Sequence, residues 1–356
     1  MQGHPDRVRD QRIEQVVALQ PPTELLADLP LQREHEETVL RGRAEIVDIL
    51  RREDDRLLVV VGPCSVHDVE AAVDYAHRLA AMAGELRDEL CVAMRVYFEK
   101  PRTTTGWKGM INDPHLDGSG DVNAGLHMAR GLLLEVLALG LPTGSEFLDP
   151  ITPQYISDAV TWAAIGARTA ESQIHRNLAS GLSMPVGFKN GTAGNVGIAV
   201  DAVRAASSPH AFTGVTLNGT PAILHTRGNE DAHVILRGGR QAPNYDAESI
   251  EGALAAVRAA GLPERIVVDA SHDNSGKDPE RQPAVVADLA GQIAAGNPAI
   301  VGVMLESFIT AGKQDHEPGK QLEYGQSITD GCMGWETTTL VLDQLAGAVR
   351  ARRARR

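Results

Sequence analysis

The sequence predicts an α/β protein built as an eight-stranded βα (TIM) barrel. From Arg56 onward, eight short apolar segments each precede a longer segment with apolar residues at helical spacing. The strand segments are apolar without alternation, which is typical of a parallel sheet covered on both faces. Eight units favour a closed barrel over the alternative, an open doubly wound sheet.

The elements follow one another in a regular order. The first predicted helix, DVEAAVDYAHRLAAM, places Val69, Ala72, Ala76 and Leu79 on one stripe, and the last, WETTTLVLDQLAGAVRA, closes the chain. The eight predicted strands are LLVVVGP, CVAMRVYF, PTGSEF, AAIGA, PVGFKN, HVILRGG, IVVDASH and IVGVMLESF.

Two segments fall outside this repeat. Residues 1–50 form a predicted N-terminal extension, helical in parts and broken at Pro21 and Pro22, which precedes a barrel domain over residues 51–356. Residues 212–228 predict a β-hairpin that turns at Asn218 and Gly219, inserted before the sixth barrel strand. Neither segment is needed to close a barrel, so both are candidates for assembly or regulation.

The composition excludes several classes of protein. A formal net charge of −13 argues against binding to nucleic acid. No apolar run reaches the about 18 residues that span a bilayer, and no signal peptide is evident, so we expect a soluble cytoplasmic protein without a membrane partner. Three cysteines without paired spacing argue against disulfides. The basic C-terminus, RARRARR, is interpreted as a frayed, solvated helix end.

Cationic side chains collect where the predicted strands end. The active site of such a barrel lies at the carboxyl ends of its strands, and six cations crowded there would repel one another unless an anion joined them. We therefore predict a small, densely charged substrate, while pairing with neighbouring acids is the alternative for each cation alone. The six are Arg95, Lys100, Arg102, Arg168, Lys189 and Arg237.

A second group at the same end has the side chains of a metal site. Cys64, His272, Glu306 and Asp330 together offer a thiolate, an imidazole and two carboxylates, which suits a divalent transition metal. Their spacing forms no compact motif. From the residues alone, Cys64 could equally be a small buried apolar residue and His272 a general base.

Several long segments resemble one family, the type I 3-deoxy-D-arabino-heptulosonate 7-phosphate synthases with an N-terminal extension and feedback control. The resemblance covers almost the whole chain. It rests on GPCSVHD, MRVYFEKPRTTTGWKGMINDP, GSEFLDPITPQY, IGARTAESQIHRNLASGLSMPVGFKNGT, HVILRGG, SHDNSGK and SITDGCMGWE.

The resemblance implies an enzyme that condenses phosphoenolpyruvate with erythrose 4-phosphate in the first step of the shikimate pathway. It implies a divalent metal cofactor, manganese, iron, cobalt or zinc, bound by Cys64, His272, Glu306 and Asp330. Arg102 and Thr103 match the contacts to erythrose phosphate, and Lys100, Glu146 and His175 match positions near the reacting centre. The phosphoenolpyruvate contacts would be Arg95, Lys100, Arg168, Lys189 and Arg237.

The resemblance also implies inhibition by an aromatic amino acid in a homodimer or homotetramer. Gly214 leaves room for a para-hydroxyl group, which favours tyrosine over phenylalanine; the alternative is that the extension and hairpin serve only as oligomer contacts. The positions that match the family's inhibitor pocket are Asp10, Pro153, Ser183, Phe212, Gly214 and Leu224.

Two positions depart from the family pattern, and two competing functions remain. Asp273 stands beside His272 where a small residue is expected, and Pro150 replaces a more usual apolar residue. The competing functions are a related barrel synthase for another sugar phosphate, such as arabinose 5-phosphate, and a non-catalytic sensor of phosphorylated metabolites. A sensor would need the cations but not Cys64, which argues for an enzyme.

Overall fold

Eight parallel strands close into a barrel in the computed structural model, which describes residues 9–102, 104–317 and 321–355. Each predicted strand is found, and the fold class is confirmed. The barrel strands are β1 Leu57–Gly62, β2 Leu90–Arg95, β3 Thr143–Glu146, β4 Trp162–Ile165, β5 Val186–Lys189, β8 His233–Leu236, β9 Ile266–Asp269 and β10 Ile300–Glu306. Around the barrel they run in the order β1, β10, β9, β8, β5, β4, β3, β2.

The helices follow the strands as predicted. Aspartates begin several of them: Asp68, Asp121 and Asp246 each accept a hydrogen bond from a backbone N–H in the first turn. Among the described residues no helix is both long and apolar enough to cross a membrane. The helices are α1 Pro22–Asp28, α2 Arg33–Arg51, α3 Val69–Glu85, α4 Val122–Ala138, α5 Pro153–Ile156, α6 Gln173–Ala179, α7 Val196–Ala206, α8 Ala247–Ala259, α9 Gln282–Ala294 and α10 Trp335–Arg353.

The apolar strands are buried on both faces, as their composition predicts. In β1, Leu58 and Val60 point into the barrel, while Leu57, Val59 and Val61 pack outward against the surrounding helices. This arrangement explains why the strand segments show no alternation of apolar and polar residues.

Helix α2 closes the interior of the barrel. Ile46, Ile49 and Leu50 pack in the same buried cluster as the inward-facing strand residues. The predicted domain boundary near residue 50 stays a prediction, but the last turns of α2 belong to the core. The proline pair does not interrupt a helix: Pro22 is the first residue of α1, where a missing N–H costs no hydrogen bond.

The inserted hairpin lies outside the barrel, as predicted. Its strands, β6 Ala211–Val215 and β7 Pro221–His225, pair antiparallel. Gly219, at φ +73°, takes the left-handed conformation that the turn requires. The hairpin tip meets the N-terminal segment of the same chain, where the Thr23 N–H donates to the Leu217 carbonyl at 2.9 Å.

The interpretation of the basic C-terminus as a solvated helix end is wrong for part of it. Arg352 is buried, with 8% of its surface exposed, and donates to the Asp55 carbonyl. Arg353 forms an ion pair with the Asp55 carboxylate at 2.5 Å. These contacts join the end of α10 to the loop before β1, so the two arginines help to fix the chain terminus to the barrel.

A buried histidine lies inside the barrel near the start of β8. The Trp162 indole donates to Nε2 of His233 at 3.1 Å, and Nδ1 lies 2.9 Å from the Asp231 carbonyl. The ring is therefore neutral, with its proton on Nδ1. Burial lowers the pKa of His233 to about 3.

This histidine should make the stability of the fold depend on pH. Between pH 6.5 and about 3 the unfolded chain binds a proton at His233 that the native fold does not. The free energy of unfolding should therefore fall by up to about 1.4 kcal/mol per pH unit on acidification through this range. The free energy of unfolding can be measured by denaturant titration at several pH values from about 7 to about 5. Plotted against pH, it should change less steeply for His233→Gln than for the wild type.

The exposed His127 in α4 provides the matched control, because its ring is not enclosed by the core. His127→Gln should keep the wild-type slope. Equal slopes for the wild type and His233→Gln would contradict a neutral buried ring.

Candidate active site

A cavity of about 270 Å³ opens at the carboxyl ends of the barrel strands. It brings together eight residues predicted from the sequence: Lys100, Arg102, Glu146, Arg168, Lys189, Arg237, His272 and Asp330. Cys64, Arg95 and Glu306 are buried and do not line the cavity. Arg95 and Glu306 form an ion pair with each other. Thr103 lies outside the described residues.

Half of the six predicted cations pair with acids. Arg95 donates to Glu306 at 3.0 Å, Lys189 lies 2.9 Å from Asp269, and Arg237 contacts Asp273. For these three, the alternative of pairing with a neighbouring acid is correct. The pairs reduce the mutual repulsion of the cations at this end of the barrel.

Other cations at the cavity form no ion pair within the described part of the chain. Among the described residues, no carboxylate lies within ion-pair distance of Arg102, Arg168 or Lys277. The guanidinium of Arg102 instead lies over Gly106, where a Cβ atom would be 2.7 Å from Nε. The cavity therefore presents net positive potential to an anion, as the sequence predicts.

Arg95 supports the floor of the site. It is 1% exposed and donates to the carbonyl oxygens of Pro63 and Cys64, both at 3.1 Å, besides Glu306. Its guanidinium also stacks 3.6 Å from the centre of the Tyr97 ring. These contacts fix the bend after β1, which carries Cys64.

Three of the four predicted metal ligands form a compact group. The ligand atoms of Cys64, Glu306 and Asp330 lie within 4.8 Å of one another. Burial, and then the charge of Glu306, raises the pKa of Cys64. A thiolate here therefore needs nearby positive charge, which Lys100 supplies with Nζ 3.0 Å from Sγ. For Asp330, burial opposes ionisation, but Lys100 and His272 outweigh it and lower the pKa.

His272 lies at the edge of this group and is oriented toward it. Its Nε2 is 3.9 Å from Glu306, while Nδ1 lies 3.0 Å from Asp269 and 2.7 Å from the Ser271 hydroxyl. A carboxylate that holds one ring nitrogen leaves the other available to a metal. The donor set of thiolate, imidazole and carboxylates fits a divalent transition metal.

Glu146 brings a carboxylate to the opposite side of the cavity, at the end of β3. It is 7% exposed, and its Oε1 is buried without a hydrogen-bond partner among the described residues. Gly166 makes room for it, because a Cβ atom there would collide with Oε1. An unsatisfied buried acceptor beside a cavity is suited to bind a water molecule or a substrate hydroxyl.

His175 does not line the cavity. Its Nδ1 lies 2.9 Å from the Ser172 hydroxyl and its Nε2 lies 2.7 Å from the Leu148 carbonyl. Both ring nitrogens are thus used within the protein. This geometry favours a role in holding the loop after β3, although the predicted catalytic role itself stays a prediction.

A sequence model described as the DAHP synthetase I family matches residues 29–343. The chain belongs to the DAHP synthetase I family. The Phe-sensitive phospho-2-dehydro-3-deoxyheptonate aldolase of Escherichia coli (strain K12) is 54% identical over 344 residues, or 97% of this chain and 98% of that protein. The Tyr-sensitive one of the same strain is 51% identical over 341 residues, covering 96% of each.

The structural comparison agrees with the sequence comparison. The structure of phospho-2-dehydro-3-deoxyheptonate aldolase from Francisella tularensis SCHU S4 matches with a TM-score of 0.94 at 49% identity, covering 96% of this chain and 99% of that one. The family resemblance seen in the motifs is therefore confirmed, and with it the fold and the enzyme class.

Sequence reasoning missed several residues of this DAHP synthetase site. Lys277 lines the cavity from a left-handed conformation at φ +62°, and Thr192 and Thr329 line it as well.

Glu99, behind the cavity, was also missed. It is buried and accepts from the backbone N–H groups of Leu148 and Asp149. Burial, and then the charge of Asp149, raises the pKa of Glu99 to about 8, though these hydrogen bonds oppose the shift. In the sequence, only its position directly before the predicted site residue Lys100 pointed to Glu99.

The six predicted regulatory positions are spread over several elements. Ser183 lines a cavity of about 500 Å³ with residues of α2, and none of the other five is among its lining residues. Pro153 is buried at the start of α5, Phe212 faces Leu224 across the hairpin, and Asp10 is exposed.

Gly214 packs against Leu224 within the hairpin. A Cβ atom at Gly214 would lie 2.6 Å from the Leu224 side chain. This contact does not measure the space for a bound amino acid, so the preference for tyrosine over phenylalanine stays a prediction.

Thiolate ligation can be tested directly with cobalt. We expect Co²⁺ added to the metal-free protein to produce the intense near-ultraviolet absorption of a thiolate-to-metal transition, and Cys64→Ser to abolish it. Cys91→Ser is the matched control, because Cys91 is equally buried but packs inside the barrel. Persistence of the band in Cys64→Ser would show that another residue supplies the sulfur.

Proposed function

We propose that this chain is a 3-deoxy-D-arabino-heptulosonate 7-phosphate synthase, which joins phosphoenolpyruvate to erythrose 4-phosphate and releases phosphate. The observation that carries the proposal is the cavity lined by unpaired cations and by Asp330, whose ligand atom lies within 4.8 Å of those of the buried Cys64 and Glu306, in a chain of the DAHP synthetase I family. Two phosphorylated substrates account for the number of cations.

The cations divide between the two substrates. Arg168, Lys189 and Arg237 lie at or just after the ends of β4, β5 and β8, which are neighbours in the barrel, and are assigned to phosphoenolpyruvate. Arg102 follows β2 on the other side of β3 and is assigned to erythrose phosphate, with Thr103 beside it. Holding both substrates in one cavity supplies proximity, which removes much of the entropic barrier to a bimolecular reaction.

The reaction needs a proton donor and a positioned water. The enol carbon of phosphoenolpyruvate forms a bond to the aldehyde carbon, whose oxygen takes up a proton. Burial lowers the pKa of Lys100, but the charge on Cys64 outweighs it and the net pKa is raised. Lys100 is therefore protonated at neutral pH and can give that proton.

The second half of the reaction adds water to the oxocarbenium-like carbon, after which phosphate leaves. Glu146, with its unsatisfied Oε1, is assigned to orient this water. A divalent metal held by Cys64, His272, Glu306 and Asp330 would act as a Lewis acid toward the aldehyde. Manganese, iron, cobalt and zinc all suit these donors.

Phosphate release tests the proposed function. The purified protein with a divalent metal should release phosphate only when both phosphoenolpyruvate and erythrose 4-phosphate are present, and a chelator should abolish the activity. Faster turnover with arabinose 5-phosphate would favour the related sugar-phosphate synthase. Tight binding of phosphoenolpyruvate with no turnover on either sugar would favour a sensor.

The same assay tests the division of the cations. Arg102→Ala should raise the KM for erythrose phosphate with little effect on that for phosphoenolpyruvate, because it removes a charge-assisted contact to one anion. Arg168→Ala is the matched variant: it should raise the KM for phosphoenolpyruvate with little effect on that for erythrose phosphate. The assignment is wrong if both variants affect the two constants equally.

We also propose that an aromatic amino acid inhibits the enzyme, in a homodimer or homotetramer. Two of the relatives are named Phe-sensitive and Tyr-sensitive. The chain has the hairpin and N-terminal segment, and Ser183 lines a cavity outside the barrel mouth. Tyrosine is slightly favoured as the effector, and phenylalanine is the alternative.

Titration with each aromatic amino acid tests this proposal. An inhibitor should change the apparent substrate affinity by about fivefold or more. Ser183→Phe should remove the effect by filling its cavity, whereas Ser208→Ala, on a nearby exposed turn, should keep it. Regulation would be refuted if the oligomeric wild type responded to none of phenylalanine, tyrosine and tryptophan.

A further inference from the structure

Arg237 meets an acid that the sequence marked as unusual. Arg237 follows β8 and lines the active-site cavity, with 6% of its side chain exposed. Its Nη1 forms an ion pair with Asp273, the residue after His272. One of the cations assigned to phosphoenolpyruvate is therefore already occupied by a carboxylate of the chain itself.

This pair differs from the other two pairs at the cavity. Asp269 and Glu306 have side chains 0% and 3% exposed, and Asp269 also accepts from the Ser271 hydroxyl and backbone N–H. These acids cannot leave their cations without losing other contacts or burying a bare charge. They belong to the permanent framework of the site.

Asp273 is held far less firmly. Its side chain is 19% exposed, and Arg237 is its one side-chain hydrogen-bond partner among the described residues. The carboxylate can therefore turn toward solvent and be rehydrated without breaking another bond. It is the acid most easily displaced when an anion reaches the guanidinium.

We propose that Asp273 is an affinity-determining residue, which competes with the phosphorylated substrate for Arg237. The inference rests on the proposed function, since it takes phosphoenolpyruvate as the anion. When the anion binds, Asp273 either gives up its ion pair or shares one guanidinium with a second negative group. Both outcomes weaken binding, and the same competition favours the departure of product phosphate.

Neutralising Asp273 should therefore tighten binding. We expect Asp273→Asn and Asp273→Ala each to lower the KM for phosphoenolpyruvate, and its Kd measured by calorimetry, by about three- to tenfold. Inhibition by inorganic phosphate should strengthen by a similar factor. The KM for erythrose phosphate should stay unchanged.

Two controls separate this effect from a change in overall charge or metal content. Asp278→Asn removes the same charge nearby, but Asp278 accepts from the Glu280 N–H and does not line the cavity, so the constants should not change. Bound metal should be equal in all variants, since His272 is intact. In an Arg237→Ala background, Asp273→Asn should have no further effect on phosphoenolpyruvate binding.

Several results would overturn the proposal. An unchanged KM and Kd in both variants would show that the pair does not oppose binding. A higher KM in Asp273→Ala that Asp273→Asn does not share would show that Asp273 positions Arg237 instead. If the wild type releases phosphate from phosphoenolpyruvate and erythrose 4-phosphate, either result refutes only the role proposed for Asp273. If the wild type does not bind phosphoenolpyruvate, the proposed function is refuted as well.

Discussion

The buried carboxylate of Asp269 is the charge on which the arrangement of the site depends. It ends β9 and faces Lys189 from β5 on one side and His272 on the other. Burial opposes its ionisation, but His272 and Lys189 lower its pKa well below the usual range. Without this negative charge, Lys189 would be a buried cation without a counter-charge, and His272 would lose the contact that orients its ring.

The same logic explains how one end of the barrel tolerates so many cations. Deeply buried Arg95 and Lys189 have permanent acidic partners, whereas Arg102 and Lys277, nearer the solvent, have none among the described residues. Desolvation makes an unpaired charge costly only where water is excluded. The outer cations therefore offer an anion charge that no acid in the described part of the chain offsets, while the inner cations share theirs with an acid.

The sequence was sufficient for the barrel and for the end of it at which the cavity opens, because both follow from local patterns. Unbroken apolar strands such as LLVVVG predict a doubly covered sheet, and the polar residue after each strand predicts the mouth. The partner of each cation could not be predicted, since Lys189 and Asp269 are 80 positions apart. They meet only because β5, β8 and β9 are consecutive around the barrel.

The remaining surprises have a similar cause. The burial of Arg352 and the packing of Ile49 inside the barrel depend on contacts between segments far apart in the chain. The periodicity of apolar residues carries no information on such contacts. Lys277 was missed because its place at the cavity depends on a left-handed turn in a loop. Cys64, Glu306 and Asp330 do lie together, but their spacing forms no compact motif, so it was the family resemblance that predicted them as metal ligands.

Contacts also run without a break from the N-terminal segment to the cavity. The Tyr155 hydroxyl donates to the Gln20 carbonyl at 2.6 Å, and the Tyr155 backbone N–H donates to the Thr152 carbonyl at 3.0 Å. The Thr152 hydroxyl in turn donates to Glu99 at 3.4 Å. Glu99 immediately precedes Lys100. Contact alone is not coupling, because coupling requires an element with two arrangements whose balance both sites shift. The loop after β3 lies in this path: Glu99 accepts from its backbone N–H groups at Leu148 and Asp149, and His175 contacts its carbonyl at Leu148, so a displacement of the loop would be felt at both side chains.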